Sequence, residues 1–439
     1  MDPNGRRRLA LGVAGAVGYA GASAASALLI SARTDLDISF WPSALVAAHG
    51  DPLHAYSVAG QADYPNANGP LSLLPLSLVA WAARQLGFAV QPVPRAALTL
   101  AVFSMFTLLL ALEAARAVRR LRGNRLDDRV PLIAAGAVLL APPLWLATTG
   151  YGHVEMPLQL WLVLLGVRLL LEERPAGVAG MALGLALLTR STTLLYLIAI
   201  AMFLLTNGRW RRTAITLGAA FLTAAAGIAP FLITDTSNVV HSLLAYRGAL
   251  PIDGDTLWYA LRDSPIAAAV QHGDTLIVAA VLVAACLGLR RYAREGRAGG
   301  ERLLAMLAIA AVTFPMLAKT AFAYYMLEPF VFAAIWALAM DRAPRTSALW
   351  APAFVLLATL IADFGVDLPR VLSTSAQGIA ASAALLAALV VVVASVIADD
   401  RRLAVRRPAA TPALALAGRD RELAVDAGPV VVAGQKPDA

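Results

Sequence analysis

Cysteine and charged residues are both scarce in this 439-residue chain. The one cysteine, Cys286, lies within an apolar run, so an intramolecular disulfide is impossible and thiol redox chemistry is not expected. Charged residues form 15% of the sequence and hydrophobic residues 59%, a balance that excludes a soluble globular domain. The sequence also has no Walker loop, no zinc-spaced Cys/His set and no glycine-rich dinucleotide turn. Nucleotide-dependent, zinc-dependent and thiol chemistry therefore all lack a sequence signature.

Long apolar runs are the main feature that is present, and they predict an all-α, polytopic membrane protein with about twelve spanning helices. The first run, residues 9–31, is too long for the apolar core of a signal peptide, so we interpret it as an uncleaved helix. The run at 176–203 is too long for one span. A polar stretch at 189–193 divides it, which predicts two short helices that meet at the outer face.

Arginines cluster in short loops beside the apolar runs, and they account for the net charge of +8. This spacing is typical of cytoplasmic loops under the positive-inside rule, so no nucleic-acid partner is expected. The pattern predicts a multi-pass protein of the plasma (inner) membrane with both termini in the cytoplasm. The polar side chains that could do chemistry then lie on the extracytoplasmic side.

The domain prediction is a transmembrane domain at residues 1–407 and a disordered cytoplasmic tail at 408–439, which is rich in Pro, Ala and Gly. The first external loop covers residues 32–95. Within it, the segment 71–86 follows Gly69-Pro70 and contains Pro75. These residues predict a re-entrant or surface-lying helix rather than a full crossing. The arginine-rich loops support this prediction, because all of them fall on the cytoplasmic side only if this segment does not cross.

Asp35 and Asp37 follow the first predicted helix directly, where two carboxylates are costly beside a lipid surface. In extended backbone, side chains at i and i+2 share a face, which suits a metal ion or a shared proton. In a helix they point about 200° apart, and only one could face a cleft. One hypothesis is a general base that activates a hydroxyl group. The other is an ordinary solvated helix cap.

Arg190 lies in the middle of the long apolar run, where an arginine is expensive and indicates function. Hydroxyl-bearing neighbours, Thr189 and 191–193, could help it to bind a phosphate group. The alternative is an arginine that extends to the interface and marks a helix end. Lys319, at the outer end of another span, could share the same phosphate or extend to the interface in the same way.

Two further polar clusters are candidates for substrate binding. His153 and Glu155, in a turn between two spans, could form an acid–base or hydrogen-bonded pair, although a tight external turn explains them equally well. Tyr324 and Tyr325 precede Glu328. Tyrosine pairs are common at membrane interfaces, whereas a glutamate one turn into a helix is harder to explain without function.

These residues and their order resemble the GT-C glycosyltransferases, and most closely the bacterial phosphatidylinositol-mannoside mannosyltransferases that use polyprenyl-phosphate mannose. The similar stretches cover most of the first 340 residues. They are Thr34-Asp35-Leu36-Asp37 with Gly50-Asp51-Pro52, Tyr56 and Tyr64-Pro65, the turn Gly152-His153-Val154-Glu155, the helix pair ending at Thr189-Arg190, and Tyr324-Tyr325 with Glu328-Pro329. The chain departs from the family where Asn66 follows Tyr64-Pro65 and where Ser191 follows Arg190.

The resemblance implies a GT-C-like fold and inverting transfer of a sugar, with mannose expected, from a polyprenyl-phosphate donor to a glycolipid or envelope-glycan acceptor. It implies Asp37 as the catalytic base, with Asp35 as the second acid. Arg190, with Lys319, would bind the donor phosphate. The substrate-binding residues implied are His153, Glu155, Tyr64, Tyr325 and Glu328.

Two other classes of function remain as alternatives. A transporter or flippase of a lipid-linked substrate would place its ionisable groups near the middle of the bilayer, whereas here they lie near the outer ends of helices. A non-catalytic partner in envelope assembly would tolerate loss of Asp37. Metal dependence stays open. Paired acids suit a hard divalent cation, but the pattern does not require a cofactor.

Overall fold

The computed structural model describes residues 3–29, 34–60, 65–123, 129–254, 256–289, 297–340, 345–367 and 373–405. Every regular element in these ranges is helical, and none is a strand. The all-α prediction is therefore confirmed for the described residues. The described residues up to Val396 form one compact unit, and those from Ile397 to Val405 belong to a second one. Two predictions, Tyr64 as a substrate-binding residue and the tail at 408–439, concern residues outside the described ranges.

The helices follow one another along the chain with mostly short connections. They are α1 (Pro3–Ser26), α2 (Trp41–Ala48), α3 (Pro70–Gln85), α4 (Pro92–Arg122), α5 (Val130–Leu139), α6 (Pro142–Trp145), α7 (Met156–Leu171), α8 (Ala176–Leu187), α9 (Thr193–Thr206), α10 (Trp210–Thr234), α11 (Thr236–Val240), α12 (Tyr246–Ala249), α13 (Ile266–Leu289), α14 (Arg297–Leu317), α15 (Leu327–Ala339), α16 (Arg345–Ala348), α17 (Trp350–Asp367) and α18 (Thr374–Val405). Turns of 3-10 helix lie at Ala27–Leu29, Pro52–His54, Ser57–Gly60, Leu257–Leu261 and Ala323–Met326, and π-helical turns at Leu36–Phe40, Leu146–Gly150 and His241–Ala245.

Seven helical segments of the described chain are long and apolar enough to cross a bilayer: Ala10–Leu29, Pro92–Arg122, Val130–Gly150, Trp210–Thr234, Ile266–Leu289, Gly299–Leu317 and Thr374–Asp399. Shorter apolar helices lie at Leu36–Ala48, Met156–Leu171, Ala176–Leu187, Thr193–Thr206, Ala323–Ala339 and Trp350–Asp363. Large apolar side chains such as Phe221, Leu222 and Ile233 on α10 are exposed, as expected for a helix that faces lipid. The chain is therefore an all-α membrane protein.

The start and the end of α4 follow from local sequence. Pro92 lies in the first turn, where its missing N–H costs nothing, and Gly123 ends the helix in a left-handed conformation with φ of +80°. The helix runs for 31 residues, which is longer than the apolar run inside it. It therefore links two ends of the molecule that carry very different side chains.

The predicted break in the long apolar run is present, between α8 and α9. The backbone of the first external loop is attached to this break. The N–H of Gly69 donates to the carbonyl of Thr189 at 2.9 Å, and the N–H of Leu71 donates to the carbonyl of Leu188 at 3.1 Å. A Cβ atom at Gly69 would collide with the Leu188 carbonyl, so glycine permits this close approach.

The segment predicted to be re-entrant or surface-lying forms α3, which is not among the candidate spanning helices of the described chain. One face of α3 is buried, with Leu73, Leu76 and Val79 among its residues. The other face exposes Leu74 and Trp81. The start of α3 therefore packs against the break between α8 and α9.

Candidate functional site

A cavity of about 320 Å³ lies at the end of the helix bundle that contains the break between α8 and α9. Its walls come from stretches that are far apart in the chain, namely 35–40, 65–68, 151–153, 190–192, 242–250 and 322–325. Four lining residues carry ionisable groups other than tyrosine: Asp35, His153, Arg190 and Arg247. The cavity therefore combines a carboxylate, an imidazole and two guanidinium groups.

Asp35 enters the cavity because the chain turns tightly around Gly152. The backbone N–H of Asp35 donates to the carbonyl of Tyr151 at 3.0 Å. Gly152 has φ of +79°, and a Cβ atom there would lie 2.7 Å from the Cβ of Leu36. Only glycine fits both the left-handed backbone and this contact. The Asp35 side chain is 37% exposed, so a ligand in the cavity can reach its carboxylate.

His153 connects Asp35 to a buried glutamate. Its Nε2 lies 2.9 Å from Oδ2 of Asp35, and its Nδ1 lies 2.9 Å from Oε1 of Glu155. Oε1 of Glu155 also accepts a hydrogen bond of 2.6 Å from Nη1 of Arg190. The rings of His153 and Tyr324 stack with their centroids 3.8 Å apart. These contacts fix the imidazole in one orientation.

The electrostatics of this cluster favour charged groups in spite of burial. Burial lowers the pKa of His153, but the charge of Glu155 and hydrogen bonds with Asp35 and Glu155 outweigh it, so the pKa lies above the usual 6.5. Burial raises the pKa of Glu155, yet His153 and Arg190 together bring it down to about 2. The raised pKa favours the protonated form of His153, whose two N–H groups would face Asp35 and Glu155, while Nη1 of Arg190 also lies 3.1 Å from Nδ1.

Asp37, the predicted catalytic base, lies outside the cavity lining. Its Oδ1 forms an ion pair with Arg95, which donates from Nε at 3.0 Å and also from Nη2. Its Oδ2 accepts hydrogen bonds from the backbone N–H and hydroxyl of Thr34 at 3.2 and 3.3 Å. The backbone from Asp35 onward is helical, so side chains two residues apart diverge. The carboxylate that reaches the cavity is that of Asp35.

Lys319, predicted to share a donor phosphate, is also held away from the cavity. Its Nζ donates to the carbonyls of Gly248 and Gln271, both at 2.7 Å, and its backbone carbonyl accepts from Asp253 at 2.8 Å. The side chain is 2% exposed. Lys319 therefore attaches the segment around Gly248 to α13 rather than presenting a charge to a ligand.

Glu328 and Tyr325 flank the cavity in different ways. Tyr325 lines it, together with Tyr324. Glu328 lies behind the wall, where its carboxylate accepts from the hydroxyl of Thr192 at 3.1 Å and from that of Tyr196. Because Thr192 and Tyr196 belong to the start of α9, Glu328 fixes the helix that follows Arg190.

Arg247, for which the sequence gives only a weak signal in the long loop after Ile233, also lines the cavity. Its guanidinium carbon lies 4.4 Å from the centroid of Phe314 and 5.7 Å from that of Tyr325. Its Nη2 is buried, and no atom in the described part of the chain accepts a hydrogen bond from it. A buried guanidinium nitrogen without an acceptor suits an anionic ligand. The sequence offers no signal beyond an arginine in a long polar connection.

Arg190 and Arg247 therefore differ in what they can offer a ligand. The charge of Arg190 is partly neutralised by Glu155, at 2.6 Å. Arg247 forms no ion pair with any described carboxylate, and it lines the same cavity. An anion in the cavity would meet Arg190, fixed by its ion pair, on one wall and Arg247, which has no ion pair among the described residues, on another.

Metal ligands do not form a recognisable group in the described ranges. No three His, Cys, Asp or Glu side chains there are arranged to hold a metal ion. The nearest approach to such a set, Asp35 with His153 and Glu155, is joined internally by hydrogen bonds. The predicted pairing of Asp35 with Asp37 around a shared ion or proton finds no geometric support, since the two carboxylates bind different partners.

Comparison with known proteins gives no family: no family model matches the chain, and no curated protein matches its sequence.

Proposed function

We propose that the chain is a membrane glycosyltransferase that moves a sugar from a polyprenyl-phosphate donor to a lipid-linked or envelope-glycan acceptor, with inversion, at the extracytoplasmic face of the plasma membrane. Mannose is the first sugar to test. One observation carries the proposal: an accessible carboxylate and two arginines line a single cavity at one end of an apolar helix bundle. Transfer from a lipid phosphate requires this combination of a base and an anion site.

In this mechanism the base is Asp35. Its carboxylate takes the proton of the acceptor hydroxyl while the hydroxyl oxygen bonds to the anomeric carbon of the donor sugar. The bond between that carbon and the phosphate oxygen breaks, and the polyprenyl phosphate leaves with the electron pair. A single displacement of this kind inverts the anomeric centre. Arg247 and Arg190 stabilise the negative charge that develops on the leaving phosphate.

His153 and Glu155 serve as positioning residues for Asp35. The imidazolium of His153 binds one oxygen of Asp35, which leaves the other oxygen for the acceptor hydroxyl. Glu155 holds the imidazolium from its other side. Because the backbone at Asp35 is fixed by Tyr151, the carboxylate does not have to reorganise when the acceptor binds.

The donor's polyprenyl chain would remain in the bilayer beside the bundle. We assign spans to the seven long apolar helices and to five shorter ones, α7, α8, α9, α15 and α17. The resulting twelve crossings put both termini in the cytoplasm and the cavity outside it, in agreement with the arginine pattern. The segment from Leu36 to Ala48 and α3 remain on the cavity side.

The test is transfer of radiolabelled mannose from polyprenyl-phosphate mannose to endogenous lipids in membranes that contain the wild type, Asp35→Asn, Asp37→Asn or Asp51→Asn. Asp51 is a matched control, since its side chain is 58% exposed and outside the cavity. We expect Asp35→Asn to reduce the initial rate about 100-fold or more. Asp51→Asn should match the wild type, and Asp37→Asn should retain far more activity than Asp35→Asn.

Each outcome decides between functions. Equal rates for Asp35→Asn and the wild type would remove Asp35 as the base. A loss confined to Asp37→Asn would restore Asp37 to that role. If the folded wild type transfers neither mannose nor arabinose from its polyprenyl phosphate, the enzyme class is wrong. A flippase assay with a labelled lipid-linked sugar would then separate a transporter from a non-catalytic assembly partner.

A further inference from the structure

Two further cavities lie at the opposite end of α7 and α9 from the proposed active site. One has a volume of about 500 Å³ and is lined entirely by charged side chains: Arg116, Arg119, Arg120, Arg168, Glu172 and Arg174. The other, of about 370 Å³, shares Arg120 and is lined mostly by apolar side chains, including Leu170 and Phe203. Because Arg120 lines both, the charged cavity adjoins the apolar one.

These cavities are separate from the proposed active site. The N-terminus of α7 follows Glu155, whereas its C-terminus contributes Leu170 and Leu171 to the apolar cavity. The helix has 16 residues, which corresponds to about 24 Å at 1.5 Å per residue. Helix α9 likewise begins beside the active-site cavity and ends at the apolar one. In a bilayer, the two sites would therefore face opposite leaflets.

The charged cavity has a large excess of positive charge. Arg168 pairs with Glu113 and with Glu172, at 3.1 Å for the latter. Arg116 approaches Glu113 at 3.4 Å, and Arg174 approaches Glu172 at 3.7 Å. The five arginines therefore share two carboxylates, which leaves a formal charge of +3.

Arg119 and Arg120 carry the uncompensated part of this charge. Neither of them pairs with a carboxylate in the described ranges, and both are exposed. In the apolar cavity, by contrast, Glu173 is already paired with Arg209 at 2.7 Å and with Arg212. The acidic residue of that cavity therefore does not compete for Arg119 and Arg120.

Arginines at a cytoplasmic helix end commonly have no role beyond setting topology. Such arginines extend into water or lipid headgroups and require no cavity. Here they surround a cavity that shares Arg120 with a mostly apolar one, a combination that matches a ligand with an anionic head and an apolar tail. The guanidinium groups present several N–H donors to the oxygens of a phosphodiester.

We propose that these adjoining cavities bind an anionic phospholipid of the leaflet opposite the active site, with its phosphodiester headgroup among the arginines and part of an acyl chain in the apolar cavity. A phospholipid is the occupant that satisfies the charge, the apolar surface and the position at the membrane boundary together. This binding site is independent of the proposed sugar transfer.

The experiment measures lipid binding by the full-length protein in an uncharged detergent, with native mass spectrometry and with the shift of its melting temperature. The probes are phosphatidylglycerol, phosphatidylcholine and inorganic phosphate. We compare the wild type with the double variant Arg119→Gln/Arg120→Gln. The matched control is Arg6→Gln/Arg7→Gln, which removes the same charge from exposed positions at the start of α1.

We expect phosphatidylglycerol to bind the wild type and the Arg6/Arg7 variant equally, and to bind the Arg119/Arg120 variant about 30-fold more weakly. Phosphatidylcholine and inorganic phosphate should bind none of the proteins measurably. Equal weakening in the Arg6/Arg7 variant would mean non-specific attraction and overturn the proposal. Binding of inorganic phosphate as tight as that of phosphatidylglycerol would identify a soluble anion as the ligand and overturn it as well.

A measurement on the wild type alone guards against a double variant that fails to fold. Raising the salt from about 0.1 M to about 0.5 M should release phosphatidylglycerol, because exposed charges are screened over a shorter distance. Retention of the lipid at high salt, with no preference over phosphatidylcholine, would contradict binding through Arg119 and Arg120. Both readouts are independent of transferase activity, so failure of the proposed function would not affect them.

Discussion

The two ends of α7 use the same side chain, arginine, in opposite ways. At the N-terminal end, Arg190 is 6% exposed and pairs with Glu155, which also holds His153. At the C-terminal end, Arg116 is 51% exposed and its contact with Glu113 is long, at 3.4 Å. The number of arginines at one end of the molecule therefore says little about function. Burial and the number of fixed partners decide how much a single arginine contributes to the stability of the fold.

Substitution of a buried, paired group should therefore affect stability or transfer activity more than substitution of an exposed arginine such as Arg116. Four changes extend from the largest expected effect to the smallest.

Removal of the Arg247 charge from the proposed active-site cavity should have the largest effect. Arg247→Gln is expected to lower kcat for sugar transfer about 100-fold, because a buried donor for the leaving phosphate is lost. Arg247→Lys should recover part of the rate. Arg262→Gln is the control, since Arg262 is 49% exposed and lies outside the cavity. Steady-state transfer kinetics check this, and an unchanged kcat in Arg247→Gln would move the phosphate site elsewhere.

Loss of a structural ion pair at the same end should lower stability more than catalysis. Asp37→Asn leaves Arg95, which is 14% exposed, without its charged partner. We expect the free energy of unfolding to fall by about 2 kcal/mol. Thermal unfolding in detergent measures the change, with Asp51→Asn as the control at an exposed position. A melting temperature equal to that of the wild type would show that the Asp37–Arg95 pair contributes nothing net to stability.

The pH dependence of stability should report on His153. Its pKa is raised in the folded protein, so the stabilisation is complete below its unfolded value of 6.5 and is lost as the pH rises through the folded value. The melting temperature of the wild type should therefore fall as the pH increases above about 6.5. His153→Gln should lack this component. Parallel curves for the two proteins between about pH 6 and 9 would mean that His153 is not charged in the fold.

The smallest effect is expected at the C-terminal end of α7. Arg116→Gln removes one long, exposed ion-pair contact, and the free energy of unfolding should change by less than about 0.5 kcal/mol. Thermal unfolding without added lipid is the measurement. A loss as large as that of Asp37→Asn would erase the difference between the two ends.

Local sequence predicted several parts of the candidate site. The polar stretch at 189–193 indicated a break, and α8 and α9 separate there. For His153 and Glu155, two residues apart, the sequence allowed either a pair or a tight turn, and the structure has Nδ1 of His153 2.9 Å from Oε1 of Glu155. These features depend on nearby residues, so the sequence pattern is sufficient. The identification of the activity as sugar transfer remains a proposal that rests on the resemblance and on the cavity.

Long-range contacts decided the parts that the sequence left open or assigned differently. Asp35 and Asp37 are nearly equivalent in the sequence, but one meets His153, 118 residues away, and the other meets Arg95, 58 residues away. Lys319 is bound by backbone carbonyls 71 and 48 residues away in the chain. No pattern of neighbouring residues contains these partners.

The sequence by itself determined that the chain is an all-α membrane protein, because uninterrupted apolar runs can satisfy their backbone hydrogen bonds in a bilayer as helices. It also determined where polar residues interrupt those runs. Only the tertiary structure decided which charged groups share a cavity. Whether a carboxylate reaches the cavity depends on the direction in which its helical turn points it. Whether it is instead neutralised depends on the arginine that packs beside it. Both conditions are set by contacts between distant segments of the chain.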